Sequence, residues 1–191
     1  MRITGGAARG LIIKAPKTKV RPATDKMRLA VFSSIGKDIE GKQALDLFAG
    51  SGSYGLEALS RGAAAATFVE ENRYALETIK ENLKHISKNL PIDDSSRSRI
   101  IGKDVFKLQA CSQVEKSHFD YIFADMPYIL LEKQAAMLFD QAKKWLSASS
   151  QSCFIVEAPG TFEYQHNGWI LKKRLGKAAK NTPSALFFQK A

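Results

Sequence analysis

The spacing of apolar residues changes character along this chain. From Ala44 onward, short continuous apolar runs alternate with stretches in which apolar residues recur every three or four positions. ALDLF (44–48), ATFVE (66–70), RIIG (99–102), DYIFAD (120–125) and SCFIVEA (152–158) read as buried strands, and WILKKRLG with SALFFQK as a closing hairpin. GLEALSRG reads as a helix that follows a glycine-rich turn. Leu76, Ile79, Leu83 and Ile86 share one helical face, and Leu131, Ala135, Leu138, Ala142 and Trp145 another. Strands alternating with helices predict a Rossmann-like α/β fold, an open and mainly parallel sheet with helices on both faces. Ligands of such sheets bind beyond the carboxyl ends of the strands.

The first 43 residues follow no such rhythm. RITGGAARG and LIIKAPKTKVRPATD are rich in glycine, proline and basic residues. TDKMRLAVFSSIG then reads as a helix, with Thr24 as N-cap and Met27, Ala30, Val31 and Ile35 on one face. The chain therefore divides into a basic N-terminal extension (1–43) and a sheet domain (44–191). Overall, 29 Lys+Arg stand against 19 Asp+Glu, a net charge of +10 that favours a polyanionic partner, nucleic acid first. Residues 2–28 hold eight of those cations against one acid, Asp25. Arg2, Arg9, Arg21, Lys26 and Arg28 are the candidate contacts to a nucleic-acid backbone, with glycines interleaved where phosphates could approach closely. A solvated arm capping the sheet edge is the alternative.

Two cysteines, Cys111 and Cys153, make no framework and read as reduced, buried thiols of a cytoplasmic protein. His85, His118 and His166 lie far apart without metal-ligand spacing, so no metal is expected. The N-terminus lacks an apolar stretch of signal-peptide length, and no run approaches the ~20 residues of a membrane span. No membrane partner is expected, and nothing in the chain calls for more than a monomer.

LDLFAGSGSYG (45–55) carries Gly50, Gly52 and Gly55, a G-x-G-x-x-G between a predicted strand and a predicted helix. Glu70 ends the next strand, well placed for ribose hydroxyls. These features fit NAD and S-adenosylmethionine alike, and Asp46 separates them. A carboxylate beneath the turn would face a pyrophosphate, and like charges about 4 Å apart cost on the order of 4 kcal/mol at an effective dielectric of about 20. S-adenosylmethionine offers an ammonium, a sulfonium and no phosphate. Phe48, Ala49, Gly50, Ser51 and Gly52 are thus expected to cradle it, the glycines letting the backbone lie against the methionine moiety. Asp104, in GKDVF, is expected beside the adenine amino group with Val105 in backbone contact, though Asp104 equally suits a helix N-cap.

FADMPY (123–128) then stands where the methyl acceptor should arrive. An exocyclic base amine is a poor nucleophile, and acceptors aimed at its N–H groups help it pyramidalise. Asp125 offers a carboxylate and Met126 a backbone carbonyl. Pro127 stiffens the turn, and Tyr128 is a ring on which a base can stack, worth ~1–3 kcal/mol. Positioning would supply most of the rate, without a strong general base.

The stretches RITGGAARG (2–10), RPATDKMRLAVF (21–32), LDLFAGSGSYGLEALSRGA (45–63), FVEEN (68–72), FADMPY (123–128) and VEAP (156–159) span nearly the whole chain. Together they resemble the bacterial small-subunit rRNA guanine-N2 methyltransferases, the RsmD-like family of class I S-adenosylmethionine enzymes. The resemblance implies a seven-stranded sheet, S-adenosylmethionine as donor with S-adenosylhomocysteine as product, and transfer to the N2 amine of one guanine in 16S rRNA. It also implies presentation of that guanine within an assembling small ribosomal subunit. Two positions depart from the family pattern. Met126 replaces the first proline of Asp-Pro-Pro-Phe/Tyr, and Leu29 replaces a glutamate, removing a carboxylate from beside Arg28. Competing readings are an adenine-N6 or glutamine-amide methyltransferase, a non-catalytic RNA-binding assembly factor, and an NAD dehydrogenase, which Asp46 opposes.

Overall fold

The computed structural model describes residues 1–16, 24–90, 97–110, 114, 118–165, 167–180 and 182–191. Seven strands form one sheet in the order β3-β2-β1-β4-β5-β7-β6. They are β1 (Gln43–Leu47), β2 (Ala65–Glu70), β3 (Ser98–Gly102), β4 (Tyr121–Ala124), β5 (Cys153–Pro159), β6 (Trp169–Leu175) and β7 (Pro183–Lys190). β1 to β5 pair in parallel, and β7 runs antiparallel between β5 and β6, the expected hairpin. The helices are α1 (Asp25–Ile35), α2 (Ser53–Ser60), α3 (Arg73–Ser87) and α4 (Tyr128–Trp145).

Strand side chains alternate between two cores. Ala44, Ala66 and Phe68 join the core beneath α1, α2 and α3, whereas Leu45, Leu47 and Val69 join the one beneath α4. Leu131, Ala135, Leu138, Ala142 and Trp145 of α4 are all buried, as their spacing predicts. The α3 stripe is rotated from its expected place: Ala75, Ile79, Asn82 and Ile86 are buried, and Leu76 and Leu83 only partly so. A polar residue thus occupies an apolar-stripe position. Thr24 Oγ1 accepts from Met27 N–H at 3.2 Å, the anticipated cap of α1.

The basic extension is no appendage over its first thirteen residues. Ile3 N–H donates to Leu11 O at 2.9 Å and Ile13 N–H to Met1 O at 3.0 Å, and Ile3, Ala8 and Ile13 are buried in the first core. Ala7 N–H donates to Ser60 O at 2.7 Å, supplying a partner to a carbonyl at the end of α2. Gly6 is required by this contact, since a Cβ there would lie 1.8 Å from Ser60 O; one on Gly5 would lie 2.3 Å from the Arg61 guanidinium, the movable end of a side chain. Gly6 therefore serves packing and not the approach of phosphates.

Arg28 corrects the sequence reading most sharply. It is fully buried, so it cannot contact RNA. Its Nε donates to Glu57 Oε2 at 3.2 Å, and its Nη2 donates to Asp25 Oδ1 at 3.0 Å and to the Arg2 carbonyl. Asp25 and Glu57 are the carboxylates that Leu29 does not provide, and Leu29 itself is exposed. Ala30, expected on the buried face of α1, is exposed, while Arg28 and Phe32 lie inside. Arg2, Arg9 and Lys26 are exposed. Arg21, Cys111 and His166 fall outside the described residues. Cys153 is a free buried thiol whose pKa burial pushes up to about 12.

Candidate active site

Beyond β1 the backbone turns through left-handed geometry three times, at Phe48 (φ 57°), Gly50 (φ 55°) and Gly52 (φ 77°). For a bulky residue such as Phe48 this is a strained conformation of the kind found at functional sites. Ala49 N–H donates to Val69 O at 3.0 Å and Gly52 N–H to Ala49 O at 2.6 Å, holding the turn against the end of β2. The three glycines have different reasons. A Cβ on Gly55 would meet the Phe68 ring at 2.3 Å, a packing requirement, whereas at Gly52, where it would lie 3.2 Å from that ring, the left-handed backbone is what calls for glycine. At Gly50 the nearest atom would be Phe48 O at 3.9 Å, which leaves open space.

That space is a cleft of about 620 Å³ at the carboxyl ends of the central strands, within the ~300–1,000 Å³ usual for small-ligand sites. Phe48 and Gly50 line it, whereas Ala49, Ser51 and Gly52 are buried behind it. Glu70 is locked at its rim: Oε2 accepts from Gly50 N–H and Oε1 from Asn72 N–H, both at 2.8 Å. Each oxygen retains a further lone pair, enough to receive a vicinal diol. Asp104 lines the cleft and also accepts Phe106 N–H at 2.9 Å, so it is both a turn-former and a wall residue. Val105 lines the cleft, and the Phe106 ring packs on Phe48 with centroids 5.8 Å apart.

Asp46 does not line the cleft. The pleat directs it to the Ala44 side of β1, beneath α2, where it is 2% exposed and its Oδ2 accepts from Gly55 N–H at 2.9 Å. Burial pushes its pKa up to about 8 against the opposing Gly55 hydrogen bond, and the neighbouring Glu70 charge adds to the rise. Asp46 therefore braces the first turn of α2. Among the described residues, Glu70, Glu71, Asp104 and Asp125 line the cleft, with Lys103 as the cation among its lining residues.

The acceptor segment is a strand-to-helix junction. β4 ends at Ala124, and Asp125 and Pro127 line the same cleft as Glu70 and Asp104. The Pro127 carbonyl accepts from Leu130 N–H at 2.9 Å and Leu131 N–H at 3.1 Å, so α4 begins directly at Tyr128. Met126 is buried in the second core, which anchors the turn through its side chain. Tyr128 is 38% exposed on the first turn of α4. Beneath this junction Tyr54 stacks on Phe123 at 5.1 Å and its hydroxyl donates to buried Glu157 Oε2 at 2.9 Å. Burial raises the pKa of both groups.

Among the cleft residues that sequence reasoning missed are Pro16, Glu71, Lys103, Phe106, Leu130 and Gln134. Leu130 carried a signal, an apolar residue off the buried α4 stripe; Pro16 carried none. Among the described residues, no group of His, Cys, Asp and Glu could hold a metal ion, and no helix is long and apolar enough to cross a membrane.

Residues 1–182 match the family described as Conserved hypothetical protein 95. The Escherichia coli K12 protein named ribosomal RNA small subunit methyltransferase D is 34% identical over 150 residues, 77% of this chain and 70% of that protein. The Haemophilus influenzae protein of the same name is 30% identical over 176 residues, 91% of this chain and 88% of that one. Among solved structures, a hypothetical protein of Thermus thermophilus superposes with a TM-score of 0.77 at 25% identity, covering 98% of each chain.

Proposed function

Given that the chain belongs to the Conserved hypothetical protein 95 family, the RsmD-like class I methyltransferases, we propose that it methylates the exocyclic N2 amine of a guanine in small-subunit ribosomal RNA. The observation that carries this reading is the opening of Asp125 and Pro127 onto the cleft held by Glu70 and Asp104. Acceptor turn and cofactor site share one cavity.

The donor set fits S-adenosylmethionine. Glu70 suits ribose hydroxyls, the Phe48–Phe106 wall suits an adenine edge beside Asp104, and the anionic lining suits a cation and disfavours a diphosphate. When bound, the cofactor supplies an electrophilic methyl group on a sulfonium. The chain's own residues hold and aim the amine. The Asp125 carboxylate and the Met126 carbonyl accept its N–H groups, Tyr128 stacks on the base, and the Pro127 cap fixes their relative direction. Exposed Arg2, Arg9 and Lys26 face the phosphate backbone of 16S rRNA, presented in an assembling small subunit.

Mass mapping of 16S rRNA from cells with and without this chain tests the assignment, and an unchanged N2-methylguanosine inventory would defeat it. In vitro, Asp125→Ala lowers kcat by about 100-fold or more while S-adenosylhomocysteine affinity changes little. An equal loss of both would place Asp125 in cofactor binding alone.

A further inference from the structure

Asn82 lies in the apolar stripe of α3 between Ile79 and Ile86 and is 1% exposed. Its Oδ1 accepts from Lys14 N–H at 2.8 Å, and its Nδ2 donates to the carbonyls of Lys14 and Ser51, both at 3.0 Å. A carboxamide has one acceptor oxygen and two donor hydrogens. One side chain therefore satisfies both backbone groups of Lys14 and still holds the glycine turn. Ser51 stands between Gly50 and Gly52, the two left-handed glycines of that turn. Ser51 Oγ also reaches Met1 Sδ at 3.5 Å, a second link to the N-terminal segment. Two residues beyond Lys14, Pro16 lines the cleft itself.

We propose that Asn82 is a positioning residue that joins the N-terminal arm to the cofactor turn, so that cofactor binding and ordering of the arm reinforce each other. The inference rests on reading the cleft as the S-adenosylmethionine site. Its physical basis is linkage. A turn deprived of its donor at Ser51 O samples more conformations, and a ligand that needs the Gly50 peptide in place binds it less tightly. Reciprocally, that ligand tightens whatever holds the turn, here the Lys14 backbone, by the same factor. The arm that faces RNA thereby reports on whether the cleft is charged with cofactor.

The test uses the full chain, S-adenosylhomocysteine as probe, and amide hydrogen exchange at Lys14. Asn82→Asp keeps the acceptor for Lys14 N–H but loses both donors and faces two carbonyls. Asn82→Ala loses all three bonds. Glu81→Gln is the control, since it removes only the exposed 2.8 Å Lys14–Glu81 ion pair. The dissociation constant measured by calorimetry is expected to rise about tenfold in both Asn82 variants and to stay unchanged in Glu81→Gln. In the wild-type chain the probe should slow exchange at Lys14, and in Asn82→Asp that slowing should vanish. A lower unfolding temperature with unchanged affinity would reduce Asn82 to a packing role and overturn the proposal. So would Lys14 exchange indifferent to the probe in the wild-type chain, a measurement that needs no variant. A wild-type chain that does not bind the probe overturns the reading of the cleft as well, whereas equal binding by all chains overturns the linkage alone.

Discussion

The Glu57 cluster offers the most exacting test of how this fold is held. Glu57 is fully buried and each of its oxygens receives two donors. Oε1 accepts from Thr4 Oγ1 at 2.7 Å and Arg61 Nε at 2.8 Å, and Oε2 from Thr4 N–H at 2.8 Å and Arg28 Nε at 3.2 Å. In Glu57→Leu, Arg28 stays buried with Asp25 as its ionic partner, and Asp25 is 47% exposed. Breaking a buried pair from one side costs about 3–5 kcal/mol. For a chain of this size that is a fall in Tm of roughly 10 °C, at about 2–4 °C per kcal/mol. Arg28→Met should cost less, because Arg61, 17% exposed, and Thr4 still bind the carboxylate. The double variant should lose less than the sum of the two, since neither charge is then left alone. Urea unfolding of the four chains measures this. A loss below about 1 kcal/mol for Glu57→Leu, the range of an exposed pair, would refute the reasoning.

Three further outcomes follow from the site and the arm. Asp46 binds its proton to about pH 8 in the folded chain against an ordinary value of 3.8; the native state thus holds more protons, and its contribution to stability, full below pH 4, is lost as pH rises through 8. Asp46→Asn should abolish that decline, worth about 1.4 kcal/mol per pH unit at most, and a urea midpoint that still falls from pH 5 to pH 9 by the wild-type amount would contradict it. Gly55→Ala should cost about 1–3 kcal/mol by driving a Cβ into Phe68, whereas Gly50→Ala should lower S-adenosylhomocysteine affinity through its left-handed backbone and position in the cleft; calorimetry and unfolding together separate the two. Arg9→Glu should weaken RNA binding and reduce its salt slope by about 1 or more with cofactor affinity intact, and parallel loss of both would assign Arg9 to holding the fold.

Much of the architecture was legible because it depends on local period. Strand and helix repeats, the α4 stripe, the Thr24 cap and the strand–turn–helix around FADMPY each involve residues within a few positions of one another. Glu70, Asp104 and Asp125 meet at one cleft because strand ends in a parallel sheet converge on one edge, which their places in the sequence suggest. The same logic failed for Asp46, where the pleat and not the position along the strand decides which way a side chain points. One residue of alternation moved it from the cleft to the floor of α2.

By itself the sequence determined the order of elements, the edge of the sheet where ligands gather, and the charge that favours a polyanion. All of these are set by composition and by spacing along the chain. Only the tertiary structure decided that Arg28 is a core residue, that Gly6 and Gly55 are packing positions, and that Asn82 binds the arm to the glycine turn. Those assignments rest on partners 29 residues apart for Arg28–Glu57 and 68 for Asn82–Lys14. Such pairs carry no shared period. A buried charge or amide is tolerable where a distant segment brings its complement, and that meeting exists only once the chain has folded.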